Sequence, residues 1–198
     1  MMTFRGSSLS TTVLIGSLLL MTARALSSRS VVSKSAVPAK LPTEPSVRVI
    51  PNDSLYVSEP DPVWFGNARN PNEGDEPSWT NPNWLKSRFH FSFAEYMNYG
   101  NTNFGPLRVM NDDLVQPHRG FGMHGHRDAE ILTYVVDGSL THRDNIGTHE
   151  TLGRGSLQFM TAGTGIRHSE TNQGDNPLRF IQTWIVPRVD GLKPKYGS

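Results

Sequence analysis

Glu130-Ile131-Leu132-Thr133-Tyr134-Val135-Val136-Asp137-Gly138-Ser139-Leu140-Thr141-His142-Arg143 is the stretch on which the fold turns. A run rich in β-branched and aromatic side chains meets Asp137-Gly138, and a second short run leaves it. Asp-Gly between such runs is a strong two-residue hairpin signal, because both central residues of a type I′ turn need positive φ. The sequence therefore predicts a strand over Glu130–Val136 and a returning strand over Ser139–Arg143. Working outward, Asn145-Ile146-Gly147 turns the chain again, Gly153 and Gly155 bracket a corner, and Leu157-Gln158-Phe159-Met160 follows. A last strand over Phe180–Val186 ends before Pro187. Upstream, Leu107-Arg108-Val109-Met110 is bounded by Asn111-Asp112-Asp113, which reads as a strand-ending turn. From Phe89 onward turn signals recur about every ten residues, and no helix-length stretch carries a 3.6-residue period, although Phe93–Met97 has room for one turn. The expected class is all-β, a single small antiparallel barrel or jelly roll that closes or doubles its sheet to hide the edges.

Composition narrows the chemistry. With 198 residues the chain holds one domain plus an appendage. It has no cysteine, which excludes disulfides, thiolate zinc sites, iron–sulfur clusters and cysteine nucleophiles. Any metal must be held by His, Asp or Glu. The formal charge of +1 averages two unlike parts, since the first acidic residue is Glu44. Arg5, Arg24, Arg29, Lys34 and Lys40 precede it, and without those five the remainder carries about −4, a poor field for nucleic acid.

Residues 1–43 read as a targeting presequence. Arg5 opens a short basic region, Val13 to Met21 is an apolar run, and Ala23-Arg24-Ala25 supplies small residues at a cleavage position. The apolar run is too short to span a bilayer of roughly 30 Å, so no membrane span is expected in the mature form. Ser27 to Thr43 is rich in Ser, Ala and basic residues and lacks acids, the composition of an organelle transit peptide. Delivery to a plastid or mitochondrion is the expectation, with secretion as the alternative. Residues 44–88 carry Pro51, Pro60, Pro62, Pro71, Pro77 and Pro82 and are predicted to be mostly loop. Their aromatics Trp64, Phe65, Trp79 and Trp84 imply that part of this lead-in packs on a core. The barrel is expected over 89–198.

Two short motifs carry the chemistry. His124-Gly125-His126 puts imidazoles at i and i+2, which project from one face of an extended chain. His168-Ser169-Glu170 does the same with an imidazole and a carboxylate. On neighbouring strands with those faces inward, three nitrogens and one oxygen would converge. Such a set suits a divalent first-row metal, and one or two vacant positions give the arrangement by which non-haem iron binds substrate and dioxygen. Gly120 and Gly122 precede the first motif, and Gly163 and Gly165 the second, as tight corners near a buried site require. His90, His118, His142 and His149 lie outside these motifs and are expected to be surface or hydrogen-bonded residues.

The stretches 120–130 (Gly-Phe-Gly-Met-His-Gly-His-Arg-Asp-Ala-Glu), Thr133-Tyr134, 161–170 (Thr-Ala-Gly-Thr-Gly-Ile-Arg-His-Ser-Glu) and Gln182-Thr183-Trp184 resemble the N-terminal half of the pirins. The resemblance runs from about Phe89 to Tyr196. It implies a cupin barrel with a mononuclear site for Fe(2+), or another divalent first-row metal, held by His124, His126, His168 and Glu170. In the wider cupin pattern a glutamate four residues after the second histidine is often a ligand, and Glu130 has that spacing. The pirin pattern uses the later carboxylate, which leaves Glu130 as an acceptor orienting an imidazole or a free carboxylate near the pocket. Position 125 is Gly where many pirins have Pro, which loosens the segment between the first two ligands. Pirins commonly continue into a second barrel, so a homodimer or a protein partner is expected to cover the face of the missing half.

The resemblance further implies a metal-dependent oxygenase that opens a small aromatic substrate, such as the flavonol quercetin, with dioxygen. Glu170 or Glu130 would take the substrate hydroxyl proton, and Phe121, Phe159 and Trp184 are candidates for the apolar wall. A second expectation, from another class, is a non-enzymatic iron-binding regulator whose surface changes with metal oxidation state; a third is a barrel that has lost activity.

Overall fold

The structure is a computed structural model, and it describes residues 49–67 and 84–198. The expectations placed on residues 1–43, together with the packing of Trp79, lie outside the described residues. Among the described residues there are eleven strands: β1 (Tyr56–Ser58), β2 (Leu85–Phe89), β3 (Leu107–Val115), β4 (Gly120–His126), β5 (Glu130–Asp137), β6 (Ser139–Asp144), β7 (His149–Gly153), β8 (Leu157–Thr161), β9 (Ile166–Thr171), β10 (Leu178–Ile185) and β11 (Lys195–Gly197). They form an antiparallel seven-stranded sheet, β1-β2-β3-β10-β5-β8-β11, and a four-stranded sheet, β4-β9-β6-β7. The described residues contain no α-helix, only two short 3₁₀ turns. The all-β expectation and the antiparallel jelly-roll barrel are as the turn rhythm required.

Within the lead-in, β1 and β2 are members of the larger sheet, β1 pairing with β2 and β2 with β3. Trp84 is wholly buried, its indole N–H donates to the Pro60 carbonyl at 2.9 Å, and its ring packs against Phe65 and Phe121. Trp64 instead stands exposed.

Two turn expectations are corrected. Asp137-Gly138 does not close a hairpin, because β5 pairs with β8 and β10 while β6 pairs with β7 and β9. Gly138 carries the chain from one sheet to the other at φ +77°, where an added Cβ would lie 2.6 Å from the Pro177 carbonyl oxygen. Crossing at this point lets Val135 and Leu140 enter one core from opposite sheets, beside Leu152, Leu178 and Phe180. Asn111-Asp112-Asp113 does not end a strand either. It lies in the middle of β3, with Val109, Asn111, Asp113 and Val115 buried in alternation. Pairing with β2 and β10 on both sides overrides the local turn preference of Asn and Asp. On the opposite face Asp112 takes a two-pronged ion pair from Arg179, at 2.8 and 2.9 Å.

Candidate metal centre

The paired motifs lie on neighbouring strands of the smaller sheet, with His124 opposite His168 in the β4–β9 register. Phe121 and His124 are three residues apart, so a regular strand would send them to opposite faces. The register shifts between them, while Phe121 stands opposite Glu170 and His124 opposite His168. This bulge returns Phe121, His124 and His126 to one face. On β9, parity needs no correction: His168 and Glu170 are buried and Ser169 between them is not.

Ligand-capable atoms of His124, His126 and His168 lie within 4.8 Å of one another. His124 Nδ1–H donates to the Gly122 carbonyl at 2.7 Å, which fixes the tautomer and leaves Nε2 with its lone pair free. His168 is 1% exposed, and neither ring nitrogen has a hydrogen-bond partner. A buried imidazole with two unmatched nitrogens is costly unless something coordinates it. Burial first, and then the neighbouring imidazoles, push His126 and His168 down to about 3, so both rings are neutral and ligand-competent at physiological pH.

Glu170 groups with His168 and His142, again within 4.8 Å. Its Oε1 accepts from Gln158 Nε2 at 2.6 Å and from the Thr133 hydroxyl at 3.3 Å, and its Oε2 accepts from Gln182 Nε2 at 2.8 Å. The amide orientation of Gln182 is dictated by Trp184, whose donor-only indole N–H reaches Gln182 Oε1 at 2.9 Å. Gln158 is turned by Glu170 itself, whose carboxylate accepts only from Nε2, and this leaves Gln158 Oε1 3.1 Å from the Tyr196 hydroxyl, which also lies 2.9 Å from Glu150 Oε2.

A cavity of about 190 Å³ opens beside the imidazoles, with His124, His126 and Glu170 in its lining. Phe121 and Trp184 form part of its apolar wall, with Trp184 edge-on to His126 at 4.7 Å. Phe159, expected in that wall, faces outward and is 46% exposed. The inward positions of β8 belong to Gln158 and Met160, and Gln158 is drawn in by Glu170. Glu130 accepts from the Thr161 hydroxyl at 2.7 Å and is not among the residues lining the cavity. Two residues that the sequence reading placed in a turn line the cavity, Asn111 and Asp113. Burial, helped by the nearby Glu170 and Asp112 charges, pushes Asp113 up to about 7 against the opposing effect of the Ser87 hydroxyl. Their i, i+2 spacing between Val109 and Val115 was the available signal. His142 also proves wholly buried, behind His168.

A β-barrel with inward imidazoles on adjacent strands defines a cupin-type metal-binding scaffold. The Pirin family model matches residues 74–185, more than half of the chain, and the chain belongs to the pirin family. It is 49% identical over 115 residues to a pirin-like protein of Caulobacter vibrioides, covering 58% of this chain and 50% of that protein. It is 44% identical over 125 residues to quercetin 2,3-dioxygenase of Escherichia coli K12, covering 63% and 54%. The crystal structure of YhhW from Escherichia coli superposes with a TM-score of 0.57 at 40% identity, over 72% of this chain and 56% of that one. A nickel(II) complex of the same bacterial pirin gives 0.56. The chain spans about half the length of the curated relatives it matches.

Proposed function

We propose that this protein is a divalent-metal-dependent oxygenase of the pirin type, holding Fe(2+) through His124, His126, His168 and Glu170 and acting on a flavonol-like aromatic. The observation that carries the proposal is the buried His168 ring, with no partner at either nitrogen, gathered with two further imidazoles beside an apolar-walled cavity. Neutral imidazoles with one carboxylate fit such an ion. The nickel-bound bacterial pirin and the dioxygenase relative support a divalent metal and dioxygen chemistry.

The metal would supply Lewis acidity toward an ionised substrate hydroxyl and a path to dioxygen. The chain's own residues do the rest. Phe121 and Trp184 bracket a planar ring and exclude water. Glu170, held by Gln158, Gln182 and Thr133, lines the cavity beside His124 and His126 and would receive the hydroxyl proton. Glu130, outside the cavity lining, is given no such role. Asp113 and Asn111, also in the lining, offer polar contacts to ring hydroxyls. The test is oxygen uptake and loss of flavonol absorption when iron-loaded protein meets quercetin; no turnover of any of several flavonols removes the oxygenase reading. Elemental analysis of protein purified without added metal tests the choice of iron.

The acid-free first 43 residues support delivery to an organelle, which the N-terminal sequence of the mature protein would test. Light scattering tests the proposed homodimer, and a monomer would refute it.

A further inference from the structure

His142 lies behind the centre, is 0% exposed, and is joined to Asp144 on the same strand by a 3.0 Å hydrogen bond from its Nε2–H to Oδ2. Asp144 is itself clamped. The amides of Ile146 and Thr148 donate to its Oδ1 at 3.0 and 2.8 Å, which reserves Oδ2 for the imidazole. Because Nε2–H donates to the carboxylate, Nδ1 carries the lone pair of a neutral His142 ring, and that atom is buried without a partner. Tyr196 stacks on the ring, centroids 4.5 Å apart at 26°, and sets its plane.

His168 has the complementary deficit. One of its nitrogens belongs with His124 and His126, and the other is left as a buried N–H with nothing to meet. Asp144 stands opposite His168 in the β6–β9 register, the His142 and His168 rings are 5.3 Å apart, and ligand-capable atoms of the two residues come within 4.8 Å. A donor lacking an acceptor thus sits beside an acceptor lacking a donor. The relay requires a turn of the His168 ring that closes this separation to hydrogen-bond length.

We propose that Asp144, His142 and His168 form a carboxylate–imidazole–imidazole relay in which His142 accepts the second N–H of His168 and so aims its other nitrogen at the metal. His142 is then a positioning residue, and the proposal rests on His168 being a metal ligand. Such partners fix ring orientation and raise ligand basicity. The rival arrangement is a second ion among His142, His168 and Glu170. It would draw on His168 and Glu170, which the proposed centre already uses, and would make His142 a ligand rather than an acceptor.

The experiment uses the full chain loaded with zinc, labelled with 15N in histidine, and read by long-range 1H–15N NMR. The relay requires His142 as the Nε2–H tautomer with bare Nδ1, and a slowly exchanging N–H on the His168 nitrogen turned away from zinc. His142→Ala should retain one zinc per chain with affinity weakened about 10- to 100-fold and fast exchange of that N–H. Added imidazole, or His142→Asn with its amide oxygen near the Nδ1 position, should restore affinity to within a few-fold. An Nδ1–H tautomer, unchanged His168 exchange in His142→Ala, or a second zinc lost in that variant each overturns the relay. If His142→Ala does not fold, the wild-type tautomer decides alone. Wild-type protein that binds no zinc overturns the centre itself, a different failure from an intact centre with the wrong tautomer.

Discussion

Asp113 is 3% exposed on β3, faces the same cavity as the imidazoles, and holds its proton up to about pH 7. In the unfolded chain it releases that proton near 3.8. Between those values the folded protein binds more protons, so this carboxyl lowers stability as pH rises from about 4 to 7, by roughly 1.4 kcal/mol for each pH unit. Asp113→Asn should therefore raise Tm at pH 8 more than at pH 5, which paired thermal melts would read; an equal shift at both would show that the carboxyl does not titrate in this window. Gln182 invites a second prediction. Gln182→Leu leaves Glu170 Oε2 and the Trp184 N–H without partners, and should cost about 1–3 kcal/mol in denaturant unfolding while weakening metal binding. Residues of this kind were hard to see in the sequence. The four proposed ligands stood out because like chemistry recurs at i, i+2, whereas His142, Gln158 and Gln182 owe their roles to partners on other strands. The outward Phe159 and inward Gln158 invert the usual apolar parity for the same reason.

Strands were legible where Gly and Asn-Gly-like signals bounded apolar runs, and misread where a polar residue faces the interior. β3 is the clearest case: only its two-sided pairing reveals that Asn-Asp-Asp is sheet. Asp137-Gly138 shows the converse, since a turn sequence fixes the local φ but not which strand comes back beside it. Glycines on β4 separate into two kinds. A Cβ on Gly120 would meet the β9 backbone, with Thr171 Cα at 2.5 Å and the Glu170 carbonyl also in contact. At Gly125 the nearest atoms are 3.7 Å away, an ordinary contact. Gly125→Ala should leave Tm unchanged or raised by the equivalent of about 0.5 kcal/mol, and Gly120→Ala should displace β9 and lower both Tm and metal content. Calorimetry with metal analysis on the two variants checks the contrast, and equal tolerance would show that β9 yields to the added carbon.

At the level of the molecule, the two depressed imidazoles govern the acid limb. Unfolding lets His126 and His168 take protons at about 6.5, while in the folded protein they resist until about 3. Stability is thus fully present above pH 6.5 and is lost as pH falls toward 3, by up to roughly 1.4 kcal/mol per pH unit for each ring. Urea titrations of the metal-free protein at pH 7, 5.5 and 4.5 should show this decline, opposed by Asp113, and excess zinc should shift the curve upward by mass action. A flat profile would mean that these rings are open to protons in the folded state. The barrel was readable from punctuation alone, but the path of its chain between sheets was not, because that depends on long-range pairing.

One feature of the centre reaches beyond the cavity. The imidazoles come from β4 and β9 of the smaller sheet, yet the groups gripping Glu170 come from β5, β8 and β10 of the larger one. A cation held as proposed, by the three imidazoles and Glu170, would act as a rivet through both layers of the wall. Amide deuterium uptake along β5, β8 and β10 should slow on loading, in strands that donate no atom to the ion.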